Sequence, residues 1–305
     1  MTDTGSGEPT PFPGQRLPGI ACILVHHCRF PSVIETVSSL LAAGVVPSSL
    51  VVVDNSEDLS TAEQLRQALP AESHLIVIPN DGYAAALNRG LRQVLEMDPK
   101  TASVLVATHE VLLGPDCLKF LQSTLSSDPS IGAVGPILFD LDSASDPPRP
   151  WSAGGTLSPI LRIPDHNRTV PSPPRPVSVP WLDGALCLYR IEALAQIQFW
   201  EGFFMYYEEL DHHLRLQKAG FRVVLDPSAT AWQSSAGIPP FYDGRNLFLY
   251  LRRDGLRFRP YLSTSYRGLR LLAKATLRRA TPGAVAQYLA GFRTAIKESR
   301  HSAVV

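Results

Sequence analysis

Three carboxylates fall within four residues at Glu208, Glu209 and Asp211, directly after the aromatic run Phe203-Phe204-Met205-Tyr206-Tyr207. Acidic side chains favour a helix N-terminus, where each is worth up to about 1 kcal/mol. Negative charges crowded beside aromatic rings also destabilise the ionised form, which raises a carboxyl pKa. A carboxylate tuned upward is what a general base for a hydroxyl group requires. Four polar clusters lie far upstream: His26-His27-Cys28-Arg29, Asp54-Asn55-Ser56, Asn80-Asp81-Gly82 and Thr108-His109-Glu110. Singly, each reads as a turn former or helix cap. Together they suit a nucleotide, with Asp54 accepting from the N–H of a pyrimidine base and Gly82 admitting a close backbone approach to a ligand. Asn88 and Arg89 follow about two turns along the next helix, and Arg89 is within reach of a diphosphate. Glu110 offers one hard oxygen to Mg²⁺ or Mn²⁺, but Thr108 and His109 make a poor magnesium set.

The elements that position these clusters are legible as alternating strands and helices. Strands are expected at Ile20 to Val25, Ser49 to Asp54, His74 to Pro79, Ser103 to Ala107 and Ala133 to Phe139. Between them lie helical patterns, two of which open on apparent capping boxes, Ser32 with Glu35 and Ser60 with Glu63. Such alternation means βαβ units and a mainly parallel sheet. Ligands bind beyond the carboxyl ends of strands in such sheets, which is where all four clusters fall. Pro-rich sequence then breaks the pattern from Asp142 to Pro180, read as a long irregular excursion with one short hairpin. Order returns with a strand at Ala185 to Tyr189, a helix at Glu208 to Ala219 that Gly220 ends, and a strand at Phe221 to Leu225. After Pro239 the chain reads as helical and basic.

Bulk composition narrows the class. The 305 residues carry 28 Lys and Arg against 28 Asp and Glu, a balance that argues against a dedicated nucleic-acid binder. Cys22, Cys28, Cys117 and Cys187 show no pairing or metal-finger spacing and read as reduced thiols of a cytoplasmic protein. The start is polar and rich in Pro and Gly, without a signal peptide's apolar core, so residues 1–18 are expected to form a disordered tail. No apolar run approaches the length of a bilayer span. No GxGxxG follows the first strand, which removes a dinucleotide oxidoreductase, and there is no P-loop.

The motifs, taken in order, resemble the family 2 glycosyltransferases, particularly the bacterial branch with rhamnosyltransferases and galactofuranosyltransferases. The resemblance runs from about Ile20 to Asn246. It rests on Val51-Val52-Val53-Asp54-Asn55-Ser56, on Asn80-Asp81-Gly82 through Asn88-Arg89-Gly90, on Asp183-Gly184-Ala185, on Phe203-Phe204 through Asp211 with Arg215 and Gly220, and on Tyr242 to Asn246. It implies a GT-A fold, an α/β Rossmann-like sheet flanked by helices with a C-terminal helical extension. The expected organisation is a nucleotide-sugar half at 19–140, an acceptor half at 141–238 and a basic extension at 239–305. It implies a nucleotide-diphosphate sugar donor, inversion at the anomeric carbon and Glu209 as base, with Glu208 or Asp211 positioning the acceptor or donor sugar. His26, His27, Asp54, Asn55, Asn80, Gly82, Asn88, Arg89, Thr108, His109 and Glu110 are then donor-side residues, and Asp183, Gly184, Trp232 and Arg245 acceptor-side ones. The family's Asp-x-Asp appears as Thr108-His109-Glu110, and the His expected after Trp232 is Gln233. A divalent cation is therefore expected to be weakly held by Glu110 and Gln233, helped by His109, or absent. In its absence Arg89 or Arg245 would offset the diphosphate charge. A non-catalytic nucleotide-sugar binder is the competing reading.

Beyond residue 246 Arg252, Arg253, Arg257, Arg259, Arg267, Arg270, Lys274, Arg278 and Arg279 are interleaved with Leu and Tyr. Three readings are open: a basic amphipathic surface resting on anionic lipid at the inner face of a membrane, a site for a phosphate-bearing acceptor, or a solvated helical cap. The donor sugar, the base of its nucleotide and the acceptor are not in the sequence.

Overall fold

A computed structural model describes residues 17, 19–143, 148–234, 237–255 and 257–301. The expected tail lies outside the described residues except for Leu17, which is buried and donates its backbone N–H to Gly44 O at 3.1 Å. The chain builds β1 (Ile20–His26), α1 (Phe30–Ala42), β2 (Leu50–Asp54), α2 (Leu59–Ala68), β3 (His74–Val77), α3 (Tyr83–Met97), β4 (Ser103–Thr108), β5 (Val111–Leu113), α4 (Cys117–Ser127) and β6 (Ile131–Asp140). Then come β7 (Pro150–Ser152), β8 (Gly155–Leu157), β9 (Pro164–His166), β10 (Val177–Ser178), β11 (Leu186–Arg190), α5 (Ile191–Gln196), α6 (Glu208–Lys218) and β12 (Arg222–Gln233). Three helices follow, α7 (Pro240–Arg253), α8 (Arg259–Thr276) and α9 (Pro282–His301).

One sheet runs β10-β12-β6-β11-β4-β1-β2-β3, with β5 paired to β12 and β7 to β6. The pairs β1–β2, β1–β4, β2–β3 and β6–β12 are parallel, while β11 is antiparallel to both its neighbours. Because β11 sits between β4 and β6, the two halves expected at 19–140 and 141–238 share a single sheet. The Pro-rich excursion supplies β7, the β8–β9 hairpin and β10.

Side-chain alternation along the strands splits the core. Cys22, Leu24, Leu50 and Val52 face one side, with Val33, Val37 and Leu40 of α1 and Leu118, Leu121 and Leu125 of α4. Ile23, Val25, Val51 and Val53 face the other, with Leu87, Leu91 and Val94 of α3. A third cluster joins Phe203, Tyr207 and Leu210 to the α7 run Leu247–Leu251 and to Ala295 of α9.

Both expected capping boxes are corrected. Helix α1 starts at Phe30 with Pro31 in its first turn, and Ser32 Oγ donates to Arg29 O. Helix α2 is capped by Asp58, whose carboxylate accepts from Ser60 N and Thr61 N. A carboxylate two residues ahead of Ser60 outcompetes the hydroxyl, because it satisfies two orphan helix N–H groups at once. Among the described residues no helix is long and apolar enough to cross a membrane.

Candidate active site

The sheet turns its topology around β1, which lies between β2 and β4, so the carboxyl ends of these strands border a crevice. His26 ends β1, Asp54 ends β2 and Thr108 ends β4, and Glu110 follows two residues later.

The β1–β2 corner is densely hydrogen-bonded. Asp54 Oδ1 lies 2.8 Å from His26 Nδ1 and accepts from Ser56 Oγ at 2.6 Å and Ser56 N at 3.2 Å. His26 Nε2 accepts from Arg29 N at 3.1 Å, which leaves Nδ1 as the ring's donor to Asp54. Burial pushes the Asp54 carboxyl up, but the bonds from His26 and Ser56 outweigh it and hold the group below its ordinary range. Asn55 Nδ2 donates to Asn80 Oδ1 at 3.1 Å, and His27 Nδ1 donates to Asn55 O at 3.1 Å. Two buried acceptors, Asp54 Oδ2 and Asn55 Oδ1, have no partner among the described residues. An unmade bond of this kind costs about 1–3 kcal/mol, and a ligand N–H would relieve it. His26 is corrected from a ligand contact to a brace, since both its ring nitrogens are engaged within the protein.

At the end of β4, His109 packs edge-on against His26 and points Nδ1 at Val25 O. Burial first, and then His26, lower its pKa to about 4, so it is a neutral ring. Glu110 Oε1 stands 3.8 Å from both Arg29 Nε and His109 Nε2. The Arg29 side chain is mostly exposed, which leaves a cation at the crevice mouth.

Gly82 and the aromatic run meet directly. Gly82 has φ +100°, and a Cβ there would overlap Phe204 Cα and O. The close approach that its missing side chain allows is made by the Phe204 backbone and not by a ligand, which corrects the expectation. Tyr83 N donates to Phe204 O at 2.7 Å, tying the start of α3 to the loop before α6. Phe204, Tyr206 and Tyr207 all hold positive φ, at 68°, 67° and 74°. Bulky residues adopt that region only under constraint. The constraint comes from α7: Asn246 Nδ2 donates to Phe203 O, Met205 O and Tyr206 O at 3.3, 2.7 and 3.0 Å. Arg245 donates to Gly202 O and Phe203 O at 2.9 and 3.0 Å and pairs with Glu298. Arg245 is thus corrected from acceptor contact to loop clamp.

Glu208 and Glu209 open α6 from this strained loop. Burial raises the Glu208 carboxyl to about 7, and its Oε2 has no hydrogen-bond partner among the described residues. Glu209 is half-buried. Burial, Glu208 and Asp183, in that order, push it well above the ordinary carboxylate range. Its side chain lies against Gly184, where an added Cβ would sit 3.4 Å from Glu209 Cβ. Tyr83 OH donates to Gly184 O at 3.4 Å, and burial followed by Glu208 and Glu209 raises its phenol. Burial raises Tyr206 likewise, with Glu208, Tyr242, Glu110 and Glu209 adding to it. Tyr206 thus has Glu110 and the acidic pair as electrostatic neighbours, and Glu209 lies beside Asp183-Gly184.

Asp183 is held in place: Oδ1 accepts from Ala185 N, and Oδ2 accepts from Trp151 Nε1 at 3.1 Å and Gln233 Nε2 at 3.4 Å. His166 Nε2 stands 3.8 Å from the same oxygen, its ring beside both Trp151 and Trp181. Trp151 and His166 come from the Pro-rich excursion and carry no signal in sequence. Asn246 was legible only as part of a motif.

Four further expectations are corrected. Asp211 accepts from Arg215 Nε at 2.7 Å and Arg253 Nε at 3.2 Å, so its carboxylate is committed to a buried ion cluster. Asn88 is fully used by Phe199 N, Phe199 O and Glu201, fastening α3 to the loop after α5. Arg89 is exposed between the buried Asn88 and Gly90, and the structure does not bring it to the cluster. Gln233 turns its amide to Asp183, so Trp232, on the opposite face of β12, stacks on Phe139 instead. Of the expected metal donors, His109 is turned to Val25 O and Gln233 donates to Asp183, which leaves the Glu110 carboxylate as the hard oxygen at this edge.

With this geometry in view, similarity to known proteins is informative. Residues 19–254 match the family model described as glycosyltransferase like family 2. The chain is 32% identical over 227 residues to N-acetylglucosaminyl-diphospho-decaprenol L-rhamnosyltransferase of two Mycobacterium tuberculosis strains, covering 68% of this chain and 73% of the relative. The fold is similar to GalNAc-T7 solved with UDP, GalNAc and Mn²⁺, at TM-score 0.57 and 12% identity over 76% of this chain and 47% of that one. It is also similar to a Pyrobaculum calidifontis mannosyltransferase in complex with GDP-Man and Mn²⁺, at TM-score 0.55 and 17% identity over 96% and 79%. These likenesses make the fold GT-A. The protein is a glycosyltransferase, and its chain belongs to glycosyltransferase family 2.

Proposed function

We propose that this enzyme transfers a deoxyhexose of the rhamnose type from a nucleoside diphosphate to a hydroxyl of a sugar carried on a lipid diphosphate, with inversion at the anomeric carbon. The observation that carries the reading is Glu209, a carboxyl of raised pKa facing Gly184 and Asp183 across the space where β1, β2 and β4 end. The sugar and acceptor classes are carried over from the Mycobacterium tuberculosis relative. The donor's base lies at the β1–β2 corner, beside His27 and Asn55. Its diphosphate lies toward Arg29, the exposed cation beside Glu110.

Glu209 removes the proton of the acceptor hydroxyl as that oxygen attacks the anomeric carbon. The C–O bond to the nucleoside diphosphate breaks in line, and its electron pair leaves with the diphosphate. Burial first, and then repulsion from Glu208, keep the Glu209 carboxyl above its ordinary range, and a carboxylate tuned upward is the more effective base. Asp183 and Gly184 frame the attacking hydroxyl. A nucleotide-sugar donor and four free cysteines support a reaction on the cytoplasmic side. The competing reading of a binder without chemistry has no account of why two elevated carboxyls persist side by side.

The test is Glu209→Gln. Donor binding, read as thermal stabilisation by a panel of UDP-, dTDP- and GDP-sugars, should persist. Turnover should drop by roughly a hundredfold or more. Turnover within a few-fold of the native enzyme would remove Glu209 from the base role.

A further inference from the structure

Helix α8 carries its polarity inside out. The residues it buries are Pro260, Ser263 and Thr264, while Leu262, Leu269 and Leu272 face outward. Ser263 Oγ donates to Leu161 O at 2.7 Å and Thr264 O accepts from Tyr288 OH at 2.8 Å, so the inner face is fastened by hydrogen bonds. Phe258 is 86% exposed, Leu262 58%, Leu269 65% and Leu277 66%. Successive spacings of four, seven and eight residues put these four on one stripe of the helix surface. Leu272 and Tyr266 are also exposed beside it. A continuous apolar stripe on the outside of a folded chain marks a contact surface.

Charge identifies the partner. From Gly255 to Lys297 the sequence has nine Lys or Arg and no Asp or Glu. Arg259, Arg270 and Lys274 flank the stripe and pair with no carboxylate among the described residues. Beside Arg270 and Lys274 opens a cavity of about 1030 Å³, bordered also by Tyr266, Leu271 and Ile160, and Ile160 is itself 72% exposed. Apolar side chains bordered by unpaired cations form the pattern of a helix lying in a bilayer interface. A second copy of this chain would bring the same cations face to face.

We propose that α8 docks the enzyme on an anionic lipid bilayer. Phe258, Leu262, Leu269 and Leu277 enter the boundary between headgroups and acyl chains, and Arg259, Arg270 and Lys274 meet lipid phosphates. This goes beyond glycosyl transfer and does not depend on which sugar is moved.

Co-sedimentation of the full chain with vesicles tests it. The chain should sediment with phosphatidylglycerol/phosphatidylcholine vesicles at least about tenfold more strongly than with phosphatidylcholine alone, and less as salt rises. Leu262→Asp with Leu269→Asp, and separately Arg270→Glu with Lys274→Glu, should each reduce that binding by about tenfold or more. Both pairs should keep the native melting temperature and donor-induced stabilisation, since the positions are exposed. Equal sedimentation with both vesicle types overturns the proposal, as does native-like binding by the leucine variant. Sedimentation velocity showing a dimer that Leu269→Asp dissociates, without vesicle binding, assigns the stripe to a second copy and also overturns it.

Discussion

At the corner where β1 and β2 end, Asp54 accepts three short hydrogen bonds and is held ionised below its usual range. Across the crevice, Glu208 and Glu209 sit side by side with an unsatisfied oxygen, and both are pushed upward. One carboxylate is stabilised as an anion by its surroundings, while two others are destabilised as anions by theirs. In the proposed mechanism the same residue chemistry serves binding in one place and proton transfer in the other, with environment making the difference. The acidic edge needs outside support, and α7 provides it through Arg245 and Asn246. The Asp54 corner supports itself.

That contrast can be broken most strongly at its support. Asn246→Ala removes a donor from three carbonyls of the strained loop, each bond worth about 1 kcal/mol net. The melting temperature should fall by roughly 5 °C or more, with turnover falling alongside because Glu208 and Glu209 follow that loop. Unchanged melting would mean that the positive φ values need no clamp. Arg29→Ala should lower turnover by roughly 10- to 100-fold, the scale of removing one charge-stabilising group. EDTA should change turnover by less than about threefold if Arg29, which stands beside Glu110, offsets the diphosphate charge. A collapse of activity in EDTA restored by Mn²⁺ would give the charge-stabilising role to a metal instead.

A smaller effect sharpens the comparison through stability. The folded-state pKa of Glu208 lies above its unfolded value, so folding is favoured while the group is protonated and the benefit is lost as pH rises toward about 7. Glu208→Gln mimics the protonated form. It should raise the melting temperature by roughly 2–5 °C at about pH 8 and leave it unchanged at about pH 4. Equal melting curves at both values would mean that Glu208 titrates normally.

Much of this was legible in sequence because it is local. Strand alternation fixed β1 to β4 within a residue or two, and the polar clusters fell at one edge because strand ends do. Family resemblance pointed to Glu209 and Gly184, which lie against each other in the structure. What failed involved partners far apart in the chain. Asn88 meets residues 111 and 113 positions away, and Asp211 meets Arg253 from another helix. Trp151 and His166 reach Asp183 from Pro-rich sequence without periodicity. A polar residue in a motif can bind a ligand or hold the protein together, and only its three-dimensional neighbours decide which. Gly82 makes the point within one residue: its missing side chain was legible, but the group that needs the space, the Phe204 backbone, was not.

The central claim is that Glu209 is a base whose pKa is raised by burial and by Glu208. The pH dependence of kcat/KM tests it most directly. The account predicts an acid limb whose midpoint lies well above the ordinary glutamate value and moves to lower pH in Glu208→Gln, as the repulsion is removed. A midpoint at the ordinary glutamate value, unmoved by the charge at position 208, would contradict it.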